Sequence, residues 1–152
     1  MSKILIIFST VGGNTEMVVD KVASVWKEGG LEVTLVRAEL ANLAEIKNFD
    51  LTVLASPTYN QGTLEAYFQK FMVGFEKTDF RGLKFAVIGL GDNHYYPEYL
   101  TEAAGILEDG VKATGGELLV PALRIGSLPV KFLDTLVKKW AEKVAGEIKK
   151  IS

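Results

Sequence analysis

No cysteine occurs anywhere in the 152 residues. That excludes disulfides, thiolate catalysis, Cys-ligated zinc and Cys-held iron–sulfur clusters. Histidine is nearly absent as well. His94 stands alone, which excludes a multi-histidine metal site and any Ser-His-Asp triad not built on that residue. A large excess of one charge sign is missing too: the net charge is −2, so the electrostatic footprint of a nucleic-acid binder is not there. No apolar run reaches membrane-spanning length. Ile4 to Phe8 gives way at once to polar and glycine residues, too short for a signal segment or a bilayer span. The expectation is a cytoplasmic protein with no leader and no anchor.

What is present is the composition of a globular fold, with 48% hydrophobic and 24% charged residues. The length suits one domain over 1–152, with no linker, repeat or low-complexity stretch dividing it. Apolar runs of strand length alternate with helical patterns. Lys3 to Ser9, Leu51 to Ala55 and Lys84 to Gly89 are apolar on both faces, as buried parallel strands require. Leu31 to Arg37 alternates and suits an edge. Glu117 to Val120 is a short strand that could run past Pro121 to Ile125. Between them, Met17, Val18, Lys21, Val22, Val25 and Trp26 recur at helical spacing and stop at Gly29-Gly30. Further stripes are Leu64, Phe68, Phe71, Met72 and Phe75, then Leu100, Ala103, Ala104, Leu107 and Val111. A last helix opens at Pro129 and carries Leu133, Leu136, Val137, Trp140, Val144 and Ile148. Five strand–helix alternations predict a three-layer, doubly wound α/β domain whose five-stranded parallel sheet has the order 2-1-3-4-5.

In such a sheet a ligand binds beyond the carboxyl ends of the strands, where the winding reverses. Three loops leave those ends. In Thr10-Val11-Gly12-Gly13-Asn14-Thr15, two glycines permit a tight turn, and the hydroxyls, the amide and the start of a helix supply donors. That is a phosphate-sized anion site. It is not a Walker A loop, since no lysine follows the glycines. The plainer alternative is a strand-to-helix connection capped by Asn14 or Thr15. The second loop is Ser56-Pro57-Thr58-Tyr59-Asn60-Gln61-Gly62, and the third Gly89-Leu90-Gly91-Asp92-Asn93-His94-Tyr95. Trp26, Trp140 and the phenylalanines at 68, 71 and 75 read as core. His94 reads as an exposed loop residue, with an influence on a bound ligand as the sharper alternative.

The first loop, followed by Glu16, resembles the phosphate loop of flavodoxins, Ser/Thr-x-Thr-Gly-x-Thr. Thr10, Gly13 and Thr15 match, and Gly12 replaces the usual threonine. The second and third resemble the loops whose aromatics wall the flavin, and the third fits the pattern Gly-x-Gly-Asp-x-x-Tyr. The chain therefore resembles a short-chain flavodoxin over its whole length. That resemblance implies a flavodoxin-like fold and one non-covalently bound FMN. It implies a monomer that shuttles single electrons between redox protein partners and is not itself an enzyme. It assigns the phosphate to Thr10, Val11, Gly12, Gly13, Asn14 and Thr15. The flavin falls to Ser56, Pro57, Thr58, Tyr59, Asn60, Gly89, Leu90, Gly91, Asp92 and Tyr95. Tyr59 would be the inner wall and Tyr95 the outer one, and the N–H groups of Gly91 and Asp92 would meet the pyrimidine edge. The peptide joining Asn60 to Gln61 takes the place where the family turns a carbonyl toward flavin N5. Glu65, Asp92, Glu98 and Glu102 would form an acidic docking rim.

With Glu16 and Asp92 near a phosphate and no Lys or Arg in the loop, further reduction of the flavin would be disfavoured. Each unit charge at ~10 Å and an effective dielectric of 20 contributes of order 1–2 kcal/mol. Two other readings stand beside this one. A flavin-dependent quinone or small-molecule reductase on the same fold would need an open outer face, which Tyr95 argues against. A receiver module would need acidic residues at the ends of the first and third strands, where Phe8-Ser9 and Ala55-Ser56 stand.

Overall fold

The computed structural model describes residues 2–10, 12–59, 63–91, 102–126 and 128–151, with Tyr59 described in its backbone alone. Strands β1 (Lys3–Phe8), β2 (Glu32–Arg37), β3 (Leu51–Tyr59) and β5 (Lys84–Leu90) form the body of one sheet. Its path is β2-β1-β3-β5-β6, where β6 is Glu117–Leu118. A further strand, β7 (Leu123–Ile125), pairs with the other end of β5. All of these pairings are parallel. The fifth predicted strand is thus β6 and β7 together. Residues 119–122 between them contain Pro121, which has no N–H to give a ladder.

Helices α1 (Asn14–Glu28) and α4 (Lys138–Lys150) cover one face; α2 (Ala66–Phe75) and α3 (Glu102–Ala113) cover the other. The strand period of two explains this division. Ile4, Ile6 and Phe8 of β1 point toward Val18, Val22, Trp26, Val144 and Ile148, while Leu5 and Ile7 point toward Phe68, Phe75, Leu107 and Val111. Both tryptophans are buried with their polar ends satisfied. Trp26 Nε1 donates to the Ala141 carbonyl at 2.8 Å and Trp140 Nε1 to that of Pro121 at 3.0 Å. Lys21 on α1 bonds Asp134 at 2.9 Å and holds its carboxyl below the usual carboxylate range.

Three elements of the fold depart from the sequence expectations. β3 continues through Ser56 to Tyr59, where a loop was expected, and pairs antiparallel with β4 (Thr63–Leu64). Pro129 opens a 3₁₀ turn over Pro129–Phe132. A π turn over Leu133–Val137 follows, and α4 begins only at Lys138. The wider π turn rotates Leu136 off the buried stripe, leaving it 43% exposed. Finally, the residue that caps α1 is Gly13, not Asn14 or Thr15.

Candidate functional site

The site is framed by strand register. Phe8 of β1 lies opposite Arg37 of β2 on one side and Ala55 of β3 on the other. Ser56 and Pro57 lie opposite Gly89 and Leu90 of β5. The three predicted loops therefore leave the sheet side by side, at the place where the winding reverses.

In the first loop Gly12 and Gly13 both take left-handed conformations, with φ of 80° and 87°. A Cβ at either would meet nothing within 4 Å. Glycine is required there by backbone conformation rather than by space, and the loop's outer side is left open to a ligand. The Gly13 N–H donates to Thr10 Oγ1 at 3.1 Å and folds the loop back on its own start. The ladder of α1 begins with the Met17 N–H donating to the Gly13 carbonyl. The N–H groups of Asn14, Thr15 and Glu16 therefore precede the helix's own bonds, and these are the donors an anion would meet. Thr15 is buried, at 1% exposure, and Asn14 faces solvent. Val11 lies outside the described residues.

The charge at this end differs from what composition suggests. Glu16 accepts a bond from the Arg37 guanidinium at 2.9 Å, and that guanidinium lies over the Phe8 ring, 5.6 Å from its centroid. Glu16 is thus not an uncompensated charge beside the loop. The readable signal was register, because an edge strand paired with β1 puts its last residue, Arg37, next to Phe8.

At the end of β3, Ser56 is fully buried. Its hydroxyl faces Ser9 of β1 at 3.5 Å and donates to the Pro57 carbonyl at 2.9 Å. Pro57 and Thr58 are half-buried. Thr58 Oγ1 accepts the Ala103 N–H at 3.1 Å, so it anchors the start of α3. Tyr59 ends β3; Asn60 lies outside the described residues.

At the end of β5, Gly89 and Leu90 are packed inside. A Cβ on Gly89 would stand 2.5 Å from Ala104 Cβ and 2.6 Å from Ala104 N, so α3 rests directly on this backbone. The Gly91 N–H donates to the Ile125 carbonyl at 3.0 Å and continues the β5–β7 ladder. It is therefore not free to meet a flavin edge, contrary to the expectation. Asp92, His94, Tyr95 and Glu98 lie outside the described residues. Among the expected rim acids, Glu102 is exposed. Glu65 is not a rim residue: it is 6% exposed, and its carboxylate accepts the N–H groups of Tyr67 and Phe68, capping α2. Its place just before a helical stripe was the signal for a cap. Among the described residues no cluster of His, Cys, Asp or Glu could hold a metal, and no helix is long and apolar enough to cross a membrane.

The family model for flavodoxin matches residues 6–140. The chain belongs to the flavodoxin family. A protein of Bacillus subtilis (strain 168) described as probable flavodoxin 2 is 31% identical over 130 residues, covering 85% of each chain. The crystal structure of oxidised flavodoxin 2 from Bacillus cereus superposes with a TM-score of 0.85 at 29% identity, covering 99% of this chain and 100% of that one. A flavodoxin of Fusobacterium nucleatum, crystallised bound to flavin mononucleotide, shares the fold with a TM-score of 0.82 at 21% identity, covering 97% of this chain and 99% of that one.

Proposed function

We propose that this flavodoxin binds one FMN without a covalent bond and carries single electrons between redox protein partners. The observation that carries the reading is the pair of left-handed glycines ahead of α1, at the reversal point of the sheet, facing nothing within 4 Å. The donor set fits a phosphate: helix N–H groups before the first ladder bond, the Thr10 and Thr15 hydroxyls, and the positive end of α1. The FMN-bound relative from Fusobacterium nucleatum, which has the same fold, supports the choice of group.

The bound FMN would supply the one-electron chemistry. The chain's residues bind and orient it. Thr10 to Thr15 would hold the phosphate, and the ends of β3 and β5 would place the ring. Tyr59 and Tyr95 are proposed as its walls, each stacked ring contributing about 0.5–1.5 kcal/mol beyond area burial. The Thr58–Ala103 bond ties the end of β3 to the start of α3 beside the place where the ring would sit. Because Arg37 offsets Glu16, the negative field on the flavin would come from the phosphate and Asp92, and the shift to low potential is smaller than the acid count implies. Donor and acceptor would approach the exposed flavin edge of a cytoplasmic monomer, with Glu102 among the rim charges.

The test is an anaerobic reductive titration of the reconstituted protein with a calibrated dye series, alongside NAD(P)H oxidation assays with a quinone. We expect two separated one-electron steps, the second more negative than that of free FMN, and no NAD(P)H turnover without an added reductase. A single two-electron step with steady NAD(P)H–quinone turnover would identify a reductase and overturn the reading.

A further inference from the structure

We propose that Arg37 is a positioning residue for the cofactor phosphate: by pairing with Glu16 it removes a carboxylate's opposition from the anion loop. The inference rests on the FMN reading above. Residues 10–16 contain no Lys or Arg, and the one charged side chain among them, Glu16, is negative. Glu16 stands in the first turn of α1, where the helix offers its orphan N–H groups and the positive end of its dipole. A carboxylate in that turn answers the same dipole that a phosphate would use, and two anions at one helix end repel.

Arg37 resolves this conflict, and the fold holds it in place from three directions. Register sets its backbone opposite Phe8. Its guanidinium lies over the Phe8 ring. Its NH2 group bonds Glu16 at 2.9 Å, which keeps the carboxylate on the β2 side of α1. Side-chain exposures of 45% and 41% leave the pair partly solvated, so its own contribution to folding is small. Its consequence falls on a ligand's charge. A dianionic phosphate feels an unpaired Glu16, whereas a neutral ligand of the same ring system does not.

Dissociation constants for FMN and for riboflavin, measured by flavin fluorescence titration of cofactor-free protein at low salt, test this. Arg37→Gln should weaken FMN by about 3- to 10-fold while leaving riboflavin unchanged, and the effect should fade at high salt. Arg37→Lys should keep most of the FMN affinity. Glu16→Gln placed in the Arg37→Gln protein should restore it, because the unpaired charge is then gone. Equal loss of both flavins in Arg37→Gln would show a structural role only, and an unchanged FMN-to-riboflavin ratio would show no role; either overturns the inference. Failure of the parent reading looks different: the wild type itself would not prefer FMN to riboflavin.

Discussion

Phe75→Ala should lower the unfolding free energy by about 3–5 kcal/mol, the cost of removing a large aromatic from a closed core. Phe75 is fully buried at the end of α2. Its ring centroid lies 5.8 Å from that of Phe71, 5.1 Å from Phe80 and 5.5 Å from Phe85. These rings join the last turn of α2, the connection to β5 and the start of β5, so the cavity would open between elements that cannot collapse independently. Urea unfolding of the cofactor-free protein should show the loss, and the thermal midpoint should fall by about 6–20 °C. Phe85 starts β5 whereas the candidate site lies at its other end, so FMN affinity of the folded fraction should be unchanged. A loss below about 1 kcal/mol would mean that the aromatic cluster is not a packed unit.

Gly89→Ala should cost about 1–3 kcal/mol and, unlike Phe75→Ala, should also weaken FMN binding. The added Cβ would lie 2.5 Å from Ala104 Cβ, 2.6 Å from Ala104 N and 2.8 Å from Ala104 Cα. Two of these are backbone atoms, so no rotamer change relieves the contact and α3 must move away from β5. The Thr58–Ala103 bond at the start of α3 would move with it, and so would the exit of the third loop. Adding Ala104→Gly removes one of the three offending atoms and should recover part of the stability. Wild-type stability and wild-type FMN affinity in Gly89→Ala would show that α3 does not rest on this strand as described.

The sheet was legible because its signals are redundant. Runs such as Ile4 to Phe8 and Leu51 to Ala55 are apolar on both faces, and only a buried parallel strand requires that. The helical stripes were equally plain, and most of them pack as expected: Val18, Val22 and Trp26 on one face, Phe68, Phe75 and Leu107 on the other. What escaped the sequence depended on a partner distant in the chain or on a local backbone choice. Glu65 looked like a surface acid because composition does not reveal a cap; the N–H groups of Tyr67 and Phe68 do. Leu136 fit a 3.6-residue period, but the π turn over Leu133–Val137 changes that period locally. Gly91 looked available until β7 took its N–H. The Glu16–Arg37 pair joins residues 21 apart in sequence and depends on strand register. The two glycines of the first loop were the clearest site signal, since the left-handed turns they permit are the turns observed.

Comparing FMN with riboflavin isolates the phosphate role proposed for Thr10 to Thr15, because the two flavins differ by that group alone. Equilibrium dissociation constants should be measured for both flavins with the wild type and with Thr15→Ala, whose side chain is buried at the loop's end. Charge-assisted hydrogen bonds contribute about 1.5–3 kcal/mol each, so two of them predict that the wild type binds FMN about 100-fold or more tightly than riboflavin. Thr15→Ala should narrow that gap by about tenfold through FMN alone. Equal wild-type affinities for FMN and riboflavin would contradict the account.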